Sequence, residues 1–167
     1  MKTAFVCDSA LQINKNFANI NPITVVPVEV RLDDEIFEDN VTITPDEFYK
    51  RIHNGQKPST SQPAVGKILS VYEELKKQGV ERIVAFSVSS KLSGTYSSFV
   101  QAKELIDGIE IKIIDTLQIA RMVGIAIEKI IKEFEEGSLT FENIEKRYAE
   151  LSQQHNVLVT VETMEYL

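Results

Sequence analysis

Short apolar runs alternate with amphipathic stretches along this chain, and that alternation restricts the fold more than any single motif does. Thr3 to Cys7 is short and apolar, Thr24 to Val30 is rich in valine, and Arg82 to Val88 and Ile109 to Ile114 repeat the pattern. Such runs suit strands of a parallel sheet that is buried on both faces. A last run, Asn156 to Val161, closes the series. Between the runs, Val65, Ile68, Tyr72 and Leu75 share one helical face, as do Val123, Ile127, Ile130 and Phe134, and then Ile144, Tyr148 and Leu151. The expected fold is α/β: a mostly parallel, doubly wound sheet with helices on both faces, since helical crossovers are what join parallel strands.

Local punctuation fixes the register of these elements. Thr44-Pro45-Asp46-Glu47 reads as an N-cap, a proline at the first helical position and a capping-box glutamate, opening the helix of Phe48 and Ile52. Pro63 is placed in the same way at the first turn of the next helix, and Gly79 falls just past Lys77 and Gln78 as a stop signal. Val28 to Leu32 and Glu35 to Glu38 flank Asp33-Asp34 and read as a small hairpin at the sheet edge. Thr163 to Leu167 reads as the opening of another helix.

Composition narrows the function classes. The 167 residues fit one domain, with 43% apolar and 26% charged residues. Lysine and arginine total 18 against 25 acidic residues, and the net charge of −7 disfavours non-specific nucleic-acid binding, so any anion site has to be local. One cysteine, Cys7, precludes an intrachain disulfide, and with only His53 and His155 besides, soft-metal ligands are too few. No membrane span or signal segment is readable, and the cytoplasm is the expected compartment.

Two hydroxyl-rich segments, Ser59-Thr60-Ser61-Gln62-Pro63 and Ser89 to Tyr96, stand where loops are expected to open helices. Helix starts offer unpaired N–H groups and a positive dipole end, so hydroxyls there suit an anionic head group. Ligands of parallel α/β sheets bind beyond the carboxyl ends of the strands, which here are Cys7-Asp8-Ser9, Ser87 to Ser93, Asp115-Thr116 and Glu162-Thr163. Plain helix capping by Thr60-Ser61 and Ser93-Gly94 is the competing explanation, and Asp8 and Asp115 could equally brace their own turns. Cys7 reads as a small buried apolar residue, His53 and His155 as solvent-facing, and Arg121 as snorkelling from an apolar stretch.

Enzyme signatures are missing. The chain holds no G-x-S-x-G elbow, Walker loop, G-x-G-x-x-G or H-E-x-x-H, and neither histidine falls at an expected sheet-edge loop to activate Ser93. Magnesium held by Asp8 and Asp115 would lack a phosphate cradle. The expectation is a non-catalytic chain without cofactor or metal.

The order Cys7-Asp8-Ser9, Val26-Pro27-Val28, Thr60-Ser61-Gln62-Pro63, Ser89-Ser90-Lys91-Leu92-Ser93-Gly94-Thr95-Tyr96, Ile114-Asp115-Thr116 and Val161 to Leu167 resembles the DegV family of bacterial fatty-acid-binding proteins. The resemblance runs over essentially the whole chain and rests on T-S-Q-P followed by S-S-x-L-S-G-T-Y. It implies a Rossmann-like N-terminal domain that carries a long-chain fatty acid and, in some members, presents it to a fatty acid kinase. It also implies that Thr60 and Ser93 hold the carboxylate, that Ser61, Gly94 and Thr95 shape the two loops, and that Asp8 and Ser9 form the first-strand motif.

Three departures from the family pattern are readable. Cys7 and Ala10 stand where the T-D-S-T version has threonines, and the stretch after Asp115 lacks a serine and paired glycines. Family members normally continue into a G-G-R-I segment and a second domain that helps enclose the ligand. Residues 1–167 are therefore expected to be the N-terminal domain alone, with weak or no lipid binding in isolation unless a homodimer covers the open wall. A degenerate interaction module and, further behind, a small-molecule enzyme using Ser93 or the Asp8/Asp115 pair are the other classes. The carrier reading requires Thr60 and Ser93 to meet at one hollow.

Overall fold

The computed structural model describes residues 1–158. In chain order its strands are β1 (Thr3–Asp8), β2 (Ile23–Val26), β3 (Glu29–Leu32), β4 (Glu35–Glu38), β5 (Pro58–Ser61), β6 (Arg82–Ser87) and β7 (Glu110–Asp115). The helices are α1 (Lys15–Ile20), α2 (Pro45–His53), α3 (Val65–Lys77), α4 (Thr95–Glu104), α5 (Arg121–Glu135) and α6 (Ile144–Ser152), with 3-10 turns at Ser9–Leu11 and Phe141–Asn143.

A four-stranded parallel sheet in the order β2-β1-β6-β7 forms the centre, in the register Phe5 beside Ile23 and Val84, and Val84 beside Lys112. Side chains alternate across a strand, so β1 sends Phe5 and Cys7 to one face and Ala4 and Val6 to the other. The first face is covered by α1, α5 and α6, where Phe5, Phe86, Ile127, Ile130 and Ile144 are fully buried. The second is covered by α3 and α4 through Ile68, Tyr72 and Phe99. Each such side chain contributes about 1.5–3 kcal/mol on burial, so this double layer is the main source of stability.

The expected strand Thr24 to Val30 is divided. Pro27 has no N–H to continue a ladder, and the chain leaves the parallel sheet there. It resumes as β3 in a separate three-stranded antiparallel sheet, β4-β3-β5, rather than as a hairpin on the edge of the main sheet. Val30, Leu32 and Ile43, with Phe37, Phe48 and Ile52 against them, form its small core beneath α2. Thr44 caps α2 as expected, accepting the Glu47 N–H at 3.3 Å, with Pro45 in the first turn.

Two further local expectations need correction. Pro63 precedes α3 instead of opening it, because the helix starts at Val65 behind an extended Ala64. Ser59 to Ser61 do not open a helix at all: they lie on β5, where Thr60 pairs with Val30 of β3. Half of the expected strand Asn156 to Val161 lies outside the described residues, and Asn156 to Leu158 form no strand; the expected helix opening at Thr163 lies wholly outside them.

Candidate functional site

Cys7-Asp8-Ser9 leaves β1 through a 3-10 turn in which every polar side-chain atom has a use. Asp8 is fully buried, and its two carboxylate oxygens accept the N–H of Ala10 at 3.0 Å and of Val88 at 2.6 Å. Burial pushes its pKa up to about 6 although these backbone donors pull it down. Burial, and then the charge of Asp8, also raise the thiol pKa of buried Cys7, which keeps it in the neutral form of a small apolar side chain. Ser9 Oγ accepts the Val28 N–H at 3.1 Å. That bond occupies a lone pair and leaves the hydroxyl hydrogen free to be donated.

Beside this turn lies a hollow of about 680 Å³ between α1 and the small sheet with α2. Ile13, Val25, Val30, Ile43 and Phe48 give it an apolar wall, while Ser9 and Thr60 supply hydroxyls. Its size and mixture of many apolar with few polar groups fit a small organic ligand. Among the described residues the Thr60 hydroxyl has no protein partner, whereas Ser61 Oγ donates to Glu29 Oε2 at 2.8 Å.

The second hydroxyl segment joins β6 to α4. Ser93 Oγ accepts the Thr95 N–H at 3.2 Å and shares a hydrogen bond with Thr95 Oγ1 at 2.8 Å, so the helix is capped from the residue before Gly94. No imidazole or carboxylate is among the partners of that hydroxyl in the described residues. A Cβ on Gly94 would overlap Oε1 of Gln62 and stand 2.7 Å from its Cδ. The chain just after Thr60 is therefore packed against the chain just after Ser93.

Of the residues expected at the site, Ser9 and Thr60 line the hollow. Asp8 is buried, and neither it nor Ser61, Ser93, Gly94 or Thr95 is part of the wall. Thr60 and Ser93 are connected through the Gln62–Gly94 contact and not by a shared cavity in the described residues, so the expectation that both face one hollow is not met. The wall residues Ile43 and Phe48 were not legible as site residues, since their approach to Ser9 depends on how the small sheet docks. Gln62 stood inside a recognised motif, but nothing local announces its contact with Gly94.

The remaining polar candidates have structural partners. Arg121 forms a two-armed ion pair with Glu128, at 2.5 and 3.0 Å, and donates to the Gln12 carbonyl, so it anchors the start of α5 instead of snorkelling. The pair raises the arginine pKa and lowers that of the glutamate against burial. His53 is exposed on α2, with its Nδ1 at 2.6 Å from the Tyr49 carbonyl. His155 is half-buried rather than solvent-facing. Among the described residues no group of three or more His, Cys, Asp or Glu side chains could hold a metal ion, and no helix is long and apolar enough to cross a membrane.

Fold and hollow together define a doubly wound α/β domain with a small antiparallel sheet beside it and an apolar hollow edged by the hydroxyls of Ser9 and Thr60. The family model described as "Uncharacterised protein, DegV family" matches residues 2–167, and the chain belongs to the DegV family. A DegV domain-containing protein of Staphylococcus aureus is 36% identical over 145 residues, covering 87% of this chain and 51% of the relative. One from Clostridium acetobutylicum is 31% identical over 166 residues, covering 99% of this chain and 59% of its own length. The chain thus spans about half the length of the curated relatives it matches.

Solved structures agree on the fold. DegV of Bacillus subtilis, a fatty acid binding protein, is 27% identical with a TM-score of 0.85, over 92% of this chain and 54% of that one. A stearic acid-binding protein from Eubacterium ventriosum is 29% identical with a TM-score of 0.81, over 89% and 52%. A DegV lipid binding protein from Thermotoga maritima is 30% identical with a TM-score of 0.82, over 92% and 55%.

Proposed function

We propose that this chain is the N-terminal α/β domain of a non-catalytic fatty acid carrier acting in the cytoplasm. The carboxylate of a long-chain acid bonds to the hydroxyls of Thr60 and Ser93 where their two loops adjoin at Gln62 and Gly94, a rim in place of the single hollow expected, with Ser9 as a further donor, and the acyl chain lies along the apolar hollow. Ser61, Gly94 and Thr95 shape the two loops around the head group, and Asp8 supports the first-strand turn. The observation that carries this reading is the free Thr60 hydroxyl on the wall of a mainly apolar hollow. The Gln62–Gly94 contact supports a role for Ser93 at the same rim.

The energetics favour this division of labour. Neutral hydroxyls satisfy a carboxylate without the desolvation cost of a buried ion pair. Each buried methylene contributes about 0.8 kcal/mol, so the tail supplies affinity while the head contacts, about 1 kcal/mol each, supply selectivity. Delivery of the bound acid to a fatty acid kinase is the role we assign to the loaded form.

Mass spectrometry of gently denatured protein tests the ligand class: a co-purified fatty acid supports the carrier reading, and its absence supports the weak binding expected of the domain in isolation. Oleate titration then tests the head-group site. The double variant T60A/S93A should weaken oleate binding about tenfold or more, from two lost contacts of about 1 kcal/mol each, and weaken oleyl alcohol less. Equal losses for acid and alcohol would show that these hydroxyls serve only the fold.

A further inference from the structure

The segment from Val88 to Ser93 is held from both sides by carboxylates that belong to neighbouring strands. On the β1 side, the fully buried Asp8 accepts the Val88 N–H at 2.6 Å while its other oxygen accepts the Ala10 N–H. On the β7 side, Asp115 Oδ1 accepts the Ser90 N–H at 3.1 Å and the Leu117 N–H at 3.0 Å. β1 and β7 flank β6 in the sheet, so each aspartate stands at the end of one neighbour and reaches towards the loop that leaves the middle strand. The Ser89 N–H adds a backbone tie to the Gln118 carbonyl at 3.0 Å.

We infer that Asp8 and Asp115 are a pair of positioning residues that clamp the β6–α4 loop, so that Ser93 is presented to a ligand head group in one geometry. The inference rests on the carrier reading above and assigns to these acids a part in it that involves no contact with the ligand. The chemistry argues for this use. An acidic side chain is a poor neighbour for a fatty acid carboxylate, yet a carboxylate that accepts one backbone N–H from each of two segments is an anchor that joins them by directional bonds. Each aspartate binds one N–H of its own turn and one of the β6–α4 loop, so losing either carboxylate frees the loop from one neighbour. Preorganised donors lose less freedom when the ligand arrives, and the clamp therefore acts on affinity through Ser93.

The test uses the full chain with D8N and D115A, oleate and oleyl alcohol as probes, and amide hydrogen exchange. At Asp8 an asparagine keeps one acceptor oxygen and turns an N–H donor towards the second backbone N–H, whereas at Asp115, where Oδ1 alone accepts both N–H groups, alanine is needed to remove the ties. In the wild type the Val88 and Ser90 amides should be protected to the level of β6 itself; exchange as fast as in free loops would overturn the clamp without any variant. D115A is the milder change for the fold, because Asp115 is only half-buried whereas Asp8 is fully buried. It should speed exchange at Ser90 and at Ser93 together and reduce the preference for oleate over oleyl alcohol about tenfold, a ratio that a loss of stability alone does not move.

Faster exchange at Ser90 with an oleate preference within twofold of the wild type would overturn the inference and leave the carrier reading intact. If the wild type binds neither lipid, the carrier reading fails for residues 1–167 by themselves instead. Exchange then decides the clamp: acceleration that stops at Ser90 without reaching Ser93 refutes it, and joint acceleration upholds it.

Discussion

Two segments of similar composition, Ser59 to Ser61 and Ser89 to Thr95, are held in opposite ways. The second leaves the middle of a buried parallel sheet, and its polar groups are tied to one another and to neighbouring loops: Ser93 N–H to Ser89 carbonyl, Lys91 N–H to Ser89 Oγ, Thr95 N–H to Ser93 Oγ. The first is an edge strand of the small sheet, bonded to β3 on one side, with Thr60 exposed and its hydroxyl uncommitted. Hydroxyl content alone therefore does not define a site. A tied hydroxyl offers fixed geometry and a free one offers an open valence, and the proposed head-group site draws one of each.

The largest expected effect tests how firmly the tied region is bound. The Asp8 pKa is raised from 3.8 to about 6, mainly by burial, so the folded state holds this proton more tightly than the unfolded chain does. Its contribution to stability is present in full below the unfolded value and is lost as the pH rises through about 6. A two-unit shift corresponds to about 3 kcal/mol, so the stability of the wild type relative to D8N should fall by about that amount between about pH 3 and pH 7. Urea unfolding of both proteins measures the difference, in which the carboxylates common to both cancel. A pH-independent gap would mean that Asp8 is far more hydrated than its burial implies.

The second test concerns the turn that carries Ser9. A Cβ on Gly124 of α5 would overlap the Leu11 carbonyl oxygen and lie 2.9 Å from that of Gln12. Both obstacles are backbone, which cannot rotate away, so Gly124→Ala should cost about 2 kcal/mol by overpacking. The same substitution should displace the turn at the hollow while leaving β5 in place. Amide shifts that move on β5 as much as at Ser9 to Gln12 would break the distinction between the two regions.

How much of this was legible from sequence follows the range of the interactions. The Thr44 cap of α2 and the Ile127 stripe of α5 are set within a few residues of themselves, and both were readable. The assignment of Ser59 to Ser61 failed because Pro63 imitates a helix start, while the partner that captures these residues is β3, where Thr60 meets Val30. The exit of the chain at Pro27 depends on which sheet receives Val30, again a long-range pairing. At the candidate site, the hydroxyls of Ser9 and Thr60 could be named from their types, but the apolar wall of Ile43 and Phe48 could not, since it forms only when α2 and the small sheet approach α1.

Single variants then sharpen the contrast. Ser93→Ala removes the acceptor for the Thr95 N–H at the start of α4 and should cost about 1.5 kcal/mol of stability, as the loss of a helix cap does. Thr60→Ala removes no protein hydrogen bond from an exposed edge position and should leave stability within about 0.5 kcal/mol. On the carrier reading both weaken oleate binding, so the pair separates binding from folding. Equal destabilisation in thermal melts would show that Thr60 is as tied as Ser93.

The smallest effect comes from a hydroxyl that is neither tied nor open. Tyr72 on α3 is fully buried against Phe99, and its OH has no hydrogen-bond partner among the described residues. Burial alone drives its phenol pKa well above the ordinary value, as a group deprived of water should behave. A buried polar group without a partner costs about 1–3 kcal/mol, and part of that is recovered by removing it at constant shape. Tyr72→Phe should therefore stabilise the chain by about 1 kcal/mol, read as a higher urea midpoint with an unchanged slope. It should leave lipid binding untouched, because α3 reaches neither the hollow nor the Ser93 loop through this ring. A loss of stability would instead place a bound water on the Tyr72 hydroxyl and make it a third kind of hydroxyl, tied through solvent.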